Sequence, residues 1–195
     1  PIVTPPSGRD KYVIDVGTNQ WLNIIIGPAI TPQIRFKAKI ARVFNTPDLY
    51  FRLRVKDDLA FTKNGNQSTT DSCNNPSAGT TDYYIPVKAD SNGVYTAVPQ
   101  NNATVPAGKK IASVSPDGWV FLDGIAPGKY YSLYLKGPKT VGSRMEQHVI
   151  LQPNQNAQVQ DFDWIATPLQ AGDLPDPNNN GQQDCTVNSV DMSHI

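Results

Sequence analysis

The sequence predicts an all-β protein, a sandwich of about ten short strands followed by an irregular C-terminal tail. Three observations point there. Charged residues make up only 17% of the 195-residue chain while Pro (17) and Gly (14) are frequent, which is the composition of strands joined by many turns. Apolar residues recur with period two, as in half-buried strands. Between such runs stand turn dipeptides such as Asp117-Gly118, Asp123-Gly124 and Pro127-Gly128. A chain this long buries a core without staples. No apolar run reaches the length of about 18 residues that a membrane-spanning helix needs. Residues 1–166 are expected to form the sandwich, with a division into two sub-sandwiches near 82–110 left open, and 167–195 the tail.

In chain order, Lys11 to Val16 and Trp21 to Ile26 read as a first hairpin around Gly17-Thr18-Asn19. The clearest alternation follows: Ile34, Phe36, Ala38 and Ile40 share one face, and Arg35, Lys37 and Lys39 the other. Phe51, Leu53 and Val55 repeat it, with Arg52, Arg54 and Lys56 opposite. If these two strands pair, the six cations stand on one sheet face, where like charges are unfavourable neighbours. That face then either awaits an acidic partner or is simply solvated. Asp57 to Thr81 is polar and reads as a long surface loop carrying Cys73. Tyr83 to Val87 and Gly93 to Val98 form another hairpin, and Lys110 to Val114 leads into the stretch from Ser115 to Lys136. Gln147 to Leu151 and Gln158 to Trp164 read as a last strand pair.

Within Ser115 to Lys136, the apolar run Trp119 to Leu122 and the aromatic-rich run Tyr130 to Leu135 are separated by Asp123-Gly124 and Pro127-Gly128. This pattern resembles the corresponding segment of bacterial cell-surface Ig-like domains of the collagen-adhesin B-type and carboxypeptidase-regulatory-like families. The resemblance implies an Ig-like or transthyretin-like β-sandwich and an extracellular setting. It implies no activity.

Beyond Trp164 nearly every side chain offers oxygen. Asn180, Gln182, Asp184, Thr186, Asn188 and Asp191 fall at the spacing with which a twelve-residue loop presents oxygens to Ca²⁺. The segment is similar to the calcium loop of a type I dockerin, through Gly172-Asp173 and Asp184 to Ser193. Asn180 and Gln182 stand where carboxylates are usual, and Asp173 and Asp176 are placed to supply the missing charge. A bound Ca²⁺ is therefore expected. Cys73 and Cys185 are the only cysteines; in a secreted chain they either bridge, pinning the tail to the sandwich, or remain two thiols.

Formal net charge is zero, yet all 17 Lys and Arg precede Glu146, together with 10 acids, and the other 7 acids run from Glu146 onward without a cation. Such a division suits head-to-tail association, or acidic segments folding back over a basic sheet in the same molecule. Nucleic acid is not an expected partner, since the chain is neutral and lacks the motifs. The catalytic inventory is thin. Only His148, His194 and a single Glu are present beside the aspartates, and no GxSxG, HExxH or P-loop spacing occurs.

The expectation is a non-enzymatic secreted surface protein, a structural or adhesive module. It would self-associate as a filament or surface-layer subunit, Arg35, Lys37, Lys39, Arg52, Arg54 and Lys56 meeting the acidic tail of a neighbour or of another surface protein. The alternative is a carbohydrate-binding module of a cell-surface or cellulosome-like system, with Trp21, Trp119 and Tyr131 as a platform for sugar rings.

Overall fold

The computed structural model describes residues 11–15, 21–25, 31–42, 46–58, 79–152 and 160–174. The chain divides into two compact units, Pro1–Ile30 and Thr31–Ile195. In the first, β1 (Lys11–Asp15) and β2 (Trp21–Ile25) form the expected antiparallel hairpin, Val13 opposite Asn23.

The second unit holds β3 (Gln33–Ile40), β4 (Leu49–Asp57), β5 (Thr80–Ala89), β6 (Tyr95–Ala97), β7 (Val120–Phe121), β8 (Tyr130–Lys136), β9 (Ser143–Ile150) and β10 (Asp161–Leu169). All eight join one sheet, in the order β10-β3-β6-β5-β4-β8-β9 with β7 also on β3. Pairing is antiparallel except between β10 and β3. The described residues are thus all-β, without a helix.

Alternation decides which face is buried. Ile34, Phe36 and Ala38 of β3, Phe51, Leu53 and Val55 of β4, Tyr83, Ile85 and Val87 of β5, and Leu133 and Leu135 of β8 point to one continuous core. The sheet curls around it until its two edges meet. There Trp164 Nε1 of β10 donates to Glu146 Oε1 of β9 at 2.7 Å, and beyond the strand ends Val141 N donates to Gln170 O at 2.9 Å and Gly172 N to Lys139 O at 3.0 Å. Edges that meet leave little backbone unpaired.

Two pairing expectations are corrected. The strand Gln33–Ile40 does not pair with Leu49–Asp57, because β6 and β5 lie between them. β9 and β10 are not laddered to each other: β9 pairs β8, and β10 runs parallel to β3. β7 pairs β3, and β8 lies between β4 and β9. The segment from Val98 to Trp119 leaves the slot between β5 and β3 and returns to it, through bridges Tyr84↔Ile111 and Val114↔Val120. Its tight turn at Gly118 has φ 86°, a conformation that suits glycine, and an added Cβ would come within 3.2 Å of the Ala97 carbonyl.

Three core phenols give the fold a pH signature. Burial pushes the pKa values of Tyr83, Tyr95 and Tyr131 above the ordinary phenol range, because phenolate is poorly solvated there. A pKa raised on folding contributes stability that is complete below the unfolded value, about 10, and is lost as pH rises toward the folded value. The midpoint of thermal unfolding should therefore fall between about pH 9.5 and 11.5, and Tyr83→Phe should blunt the fall. A Tyr83→Phe profile superimposable on the parent would remove Tyr83 from this account.

Candidate functional site

The six cations do share one face of the sheet, since the row Lys37, Thr96 and Lys88 and the row Tyr84, Arg52 and Lys136 are each in cross-strand register. They are not, however, a uniform solvated surface. Lys37 is exposed and Arg35 and Lys39 are half-exposed, whereas Arg54 and Lys56 are buried and Arg52 is half-buried. Acids of the same chain meet them. Arg54 makes a bidentate pair with Asp82 at 2.7 and 2.8 Å, and Arg35 pairs with Asp161. Lys37 is in register with Asp163 across the parallel β10–β3 ladder. The charge division along the chain is in this way partly closed inside one molecule, because β10 returns its aspartates beside β3. This weakens the ground for treating all six as a partner face.

Lys136 adds a buried pair on the same face. Its Nζ donates to the Thr140 carbonyl and to Asp173 Oδ2, with side-chain exposures of 7% for Lys136 and 0% for Asp173. Asp173, expected to help hold Ca²⁺, is thus committed to an ion pair inside the protein. The other expected ligands, Asp176, Asn180, Gln182, Asp184, Thr186, Asn188 and Asp191, lie outside the described residues, as do Cys73 and Cys185. Among the described residues no three His, Cys, Asp or Glu are grouped to hold a metal ion.

Two of the three residues of the expected aromatic platform are buried. Trp119 is 5% and Tyr131 4% exposed. The Arg35 guanidinium lies 5.0 Å from the centroid of the Trp119 ring, and the Tyr131 hydroxyl donates to the Ala126 carbonyl at 2.9 Å. Both are used in packing, and adjacent Tyr130, at 47%, takes the outward position that alternation requires. Trp21 begins β2 in the separate N-terminal unit.

A pocket that the sequence did not announce lies elsewhere on the outer face. A pocket of about 540 Å³ is floored by the cross-strand row Tyr84, Arg52 and Lys136, with Tyr50 and Asp48 farther along the β4 chain. Asn102, Ala103, Thr104 and Pro106 wall one side, and Gly137 and Pro138 another. The wall is tied down at its start: Asn101 Nδ2 donates to the carbonyls of Leu49 at 2.7 Å and Val87 at 3.0 Å, and Asn102 N donates to Asp48 Oδ2 at 3.0 Å. Burial lowers the Arg52 pKa, and neighbouring Arg54 lowers it further; Asp82 and Tyr84 oppose this without reversing it. The only sequence signal for this site was the alternation that put Arg52 outward. The approach of residues 102–106 and 136–138 has no local pattern to reveal it.

One further constellation bears on catalysis. Ser132 Oγ donates to Asp58 Oδ1 at 2.7 Å, while Asp58 Oδ2 meets His148 Nδ1 at 2.8 Å and the His148 backbone N–H at 3.1 Å. In a nucleophile relay the imidazole stands between hydroxyl and carboxylate and takes the hydroxyl proton. Here the carboxylate stands between, so the serine hydroxyl donates to Asp58 and not to the imidazole. The trio braces the end of β4 against β8 and a bulge in β9, where His148 has φ 55°.

No family model matches this chain, and no curated protein or solved structure matches it either.

Proposed function

We propose that this chain is a non-enzymatic adhesive module of an extracellular surface that binds saccharide in the pocket over β4. The observation that carries the reading is the pocket itself. Its volume of about 540 Å³ lies within the range of about 300–1,000 Å³ usual for small-ligand sites. Its lining joins two tyrosines to Asp48, Arg52, Asn102 and Thr104, apolar ring surface beside hydrogen-bonding groups of both polarities. A sugar ring has the matching surface, with apolar C–H faces and a rim of hydroxyls. The Ser132, Asp58 and His148 order supports a binding role over a hydrolytic one. Polymerisation through the basic face is the weaker reading, because Arg35 and Arg54 already have acids of their own chain.

The test is titration of the full chain with a panel of neutral and acidic mono- and disaccharides, followed by backbone NMR shifts. Shifts are expected at Tyr50, Asn102 and Thr104, and Tyr50→Ala should remove them. No shift at these residues with any sugar of the panel would reject the reading.

A further inference from the structure

The pocket over β4 is uneven along its length, and this unevenness names the class of saccharide; the inference rests on the saccharide reading above. We propose that the pocket takes a neutral hexose, with its apolar ring face against Tyr50 and two hydroxyls on adjacent ring carbons donating to the Asp48 carboxylate.

The cations of the floor are already met by groups of their own chain. Arg52 interacts with Asp82 and with the Tyr84 side chain. Both oxygens of Asp82 accept from Arg54, and Lys136 donates to Asp173 and to the Thr140 carbonyl. A carboxylate on the ligand would compete here with acids already in place, and would have to be stripped of water first. The Tyr84 ring is engaged as well, with Lys109 Nζ 5.9 Å from its centroid.

Asp48 and Tyr50 differ from the floor. They line the pocket two positions apart, so that a ring lying on Tyr50 has its rim beside Asp48. Tyr50 is half-buried and has no hydrogen bond or ring contact among the described residues. Asp48 Oδ2 accepts the Asn102 N–H at 3.0 Å, and Oδ1 accepts nothing from the described residues. One bond therefore fixes the carboxylate and leaves most of its roughly four acceptor positions open. Hydroxyls on adjacent ring carbons lie close enough together to reach both oxygens of one carboxylate, in charge-assisted bonds. The same carboxylate repels a ligand that is itself an anion. The exposed Asn102 and Thr104 side chains on the wall offer donors and acceptors to the remaining hydroxyls.

The experiment is calorimetric titration of the full chain with D-glucose, D-galactose, D-mannose and D-glucuronate separately, then with the monodeoxy derivatives of the hexose that binds most tightly. One of the neutral hexoses is expected to bind more tightly than glucuronate. Loss of either of two adjacent hydroxyls should weaken that hexose about tenfold, the size of one charge-assisted contact, and loss of the others should weaken it less. In Asp48→Asn, which has one acceptor oxygen in place of two, both of these penalties should shrink together. Glucuronate binding as tightly as the best hexose would overturn the neutral class while leaving the saccharide reading standing. Penalties spread evenly around the ring, or unchanged in Asp48→Asn, would overturn the contact with Asp48, again without touching that reading. Binding of none of the sugars would reject both. Should Asp48→Asn fail to fold, the Asn102 N–H, bonded to Asp48 Oδ2, reports in its place. Its NMR shift on binding should differ between the hexose and the two affected deoxy sugars, and an identical shift would overturn the proposal.

Discussion

Replacing Asp173 by Ala should destabilise the protein by about 3–5 kcal/mol, the usual cost of leaving one member of a buried ion pair behind. Asp173 is fully buried and Lys136 nearly so, and the Lys136 ammonium is held between Asp173 Oδ2 and the Thr140 carbonyl. Without the carboxylate, a charged lysine is left in a site with little access to water. The pair also sits where the sheet closes, beside the bridge Thr140↔Ala171 and the bond from Gly172 N to Lys139 O at 3.0 Å. Loosening it should thus free the segment after β10. Urea unfolding gives the magnitude, and hydrogen exchange at Val141 and Gly172 shows whether the loss is local. The double variant Lys136→Met with Asp173→Ala should recover much of the loss, because no charge then remains buried. A cost below about 1 kcal/mol for Asp173→Ala, as for an exposed pair, would mean the ion pair is not buried in solution.

Trp164→Ala should cost about 3–5 kcal/mol, as large aromatic truncations in packed cores do. Trp164 is 3% exposed and stacks between Phe36, at 5.2 Å between ring centroids, and Phe162, at 5.3 Å. Its Nε1–H also reaches Glu146 of β9 at 2.7 Å, across the seam where the curled sheet meets itself. The indole therefore both fills the core and ties the two edges. Trp164→Phe separates these roles. It keeps most of the apolar bulk and removes the donor, leaving the half-buried Glu146 carboxylate without this bond, for a loss of about 1–3 kcal/mol. Equal destabilisation by Ala and Phe would show that packing contributes little. A Phe variant as stable as the parent would show that the hydrogen bond across the seam contributes nothing.

The strands and the buried face were legible because period two is a local property. Ile34, Phe36, Ala38, Phe51, Leu53 and Val55 alternate with polar residues, and a pleated strand can bury only one set of them. Adjacent Tyr130 and Tyr131 divided between surface and core for the same reason. The candidate site was legible only in part. Arg52 could be assigned to the outer face, but not to a pocket, since its walls come from residues 102–106 and 136–138, far away in the chain. Trp119 looked available for a ligand because sequence does not say that Arg35 will lie over its ring.

By itself the sequence determined that this is a strand-rich chain, which residues of β3 and β4 face inward, and that its cations and acids are divided along its length. Tertiary structure alone decided the order of strands, the parallel return of β10 beside β3, and the burial of Arg54, Lys56, Lys136 and Asp173. The physical reason lies in what each choice depends on. Burial of one strand face follows from side chains in sequence, whereas ladder hydrogen bonds join backbone groups that are alike in every strand. Partner choice, and with it which cation meets which carboxylate, is settled only when the whole sheet closes around its core.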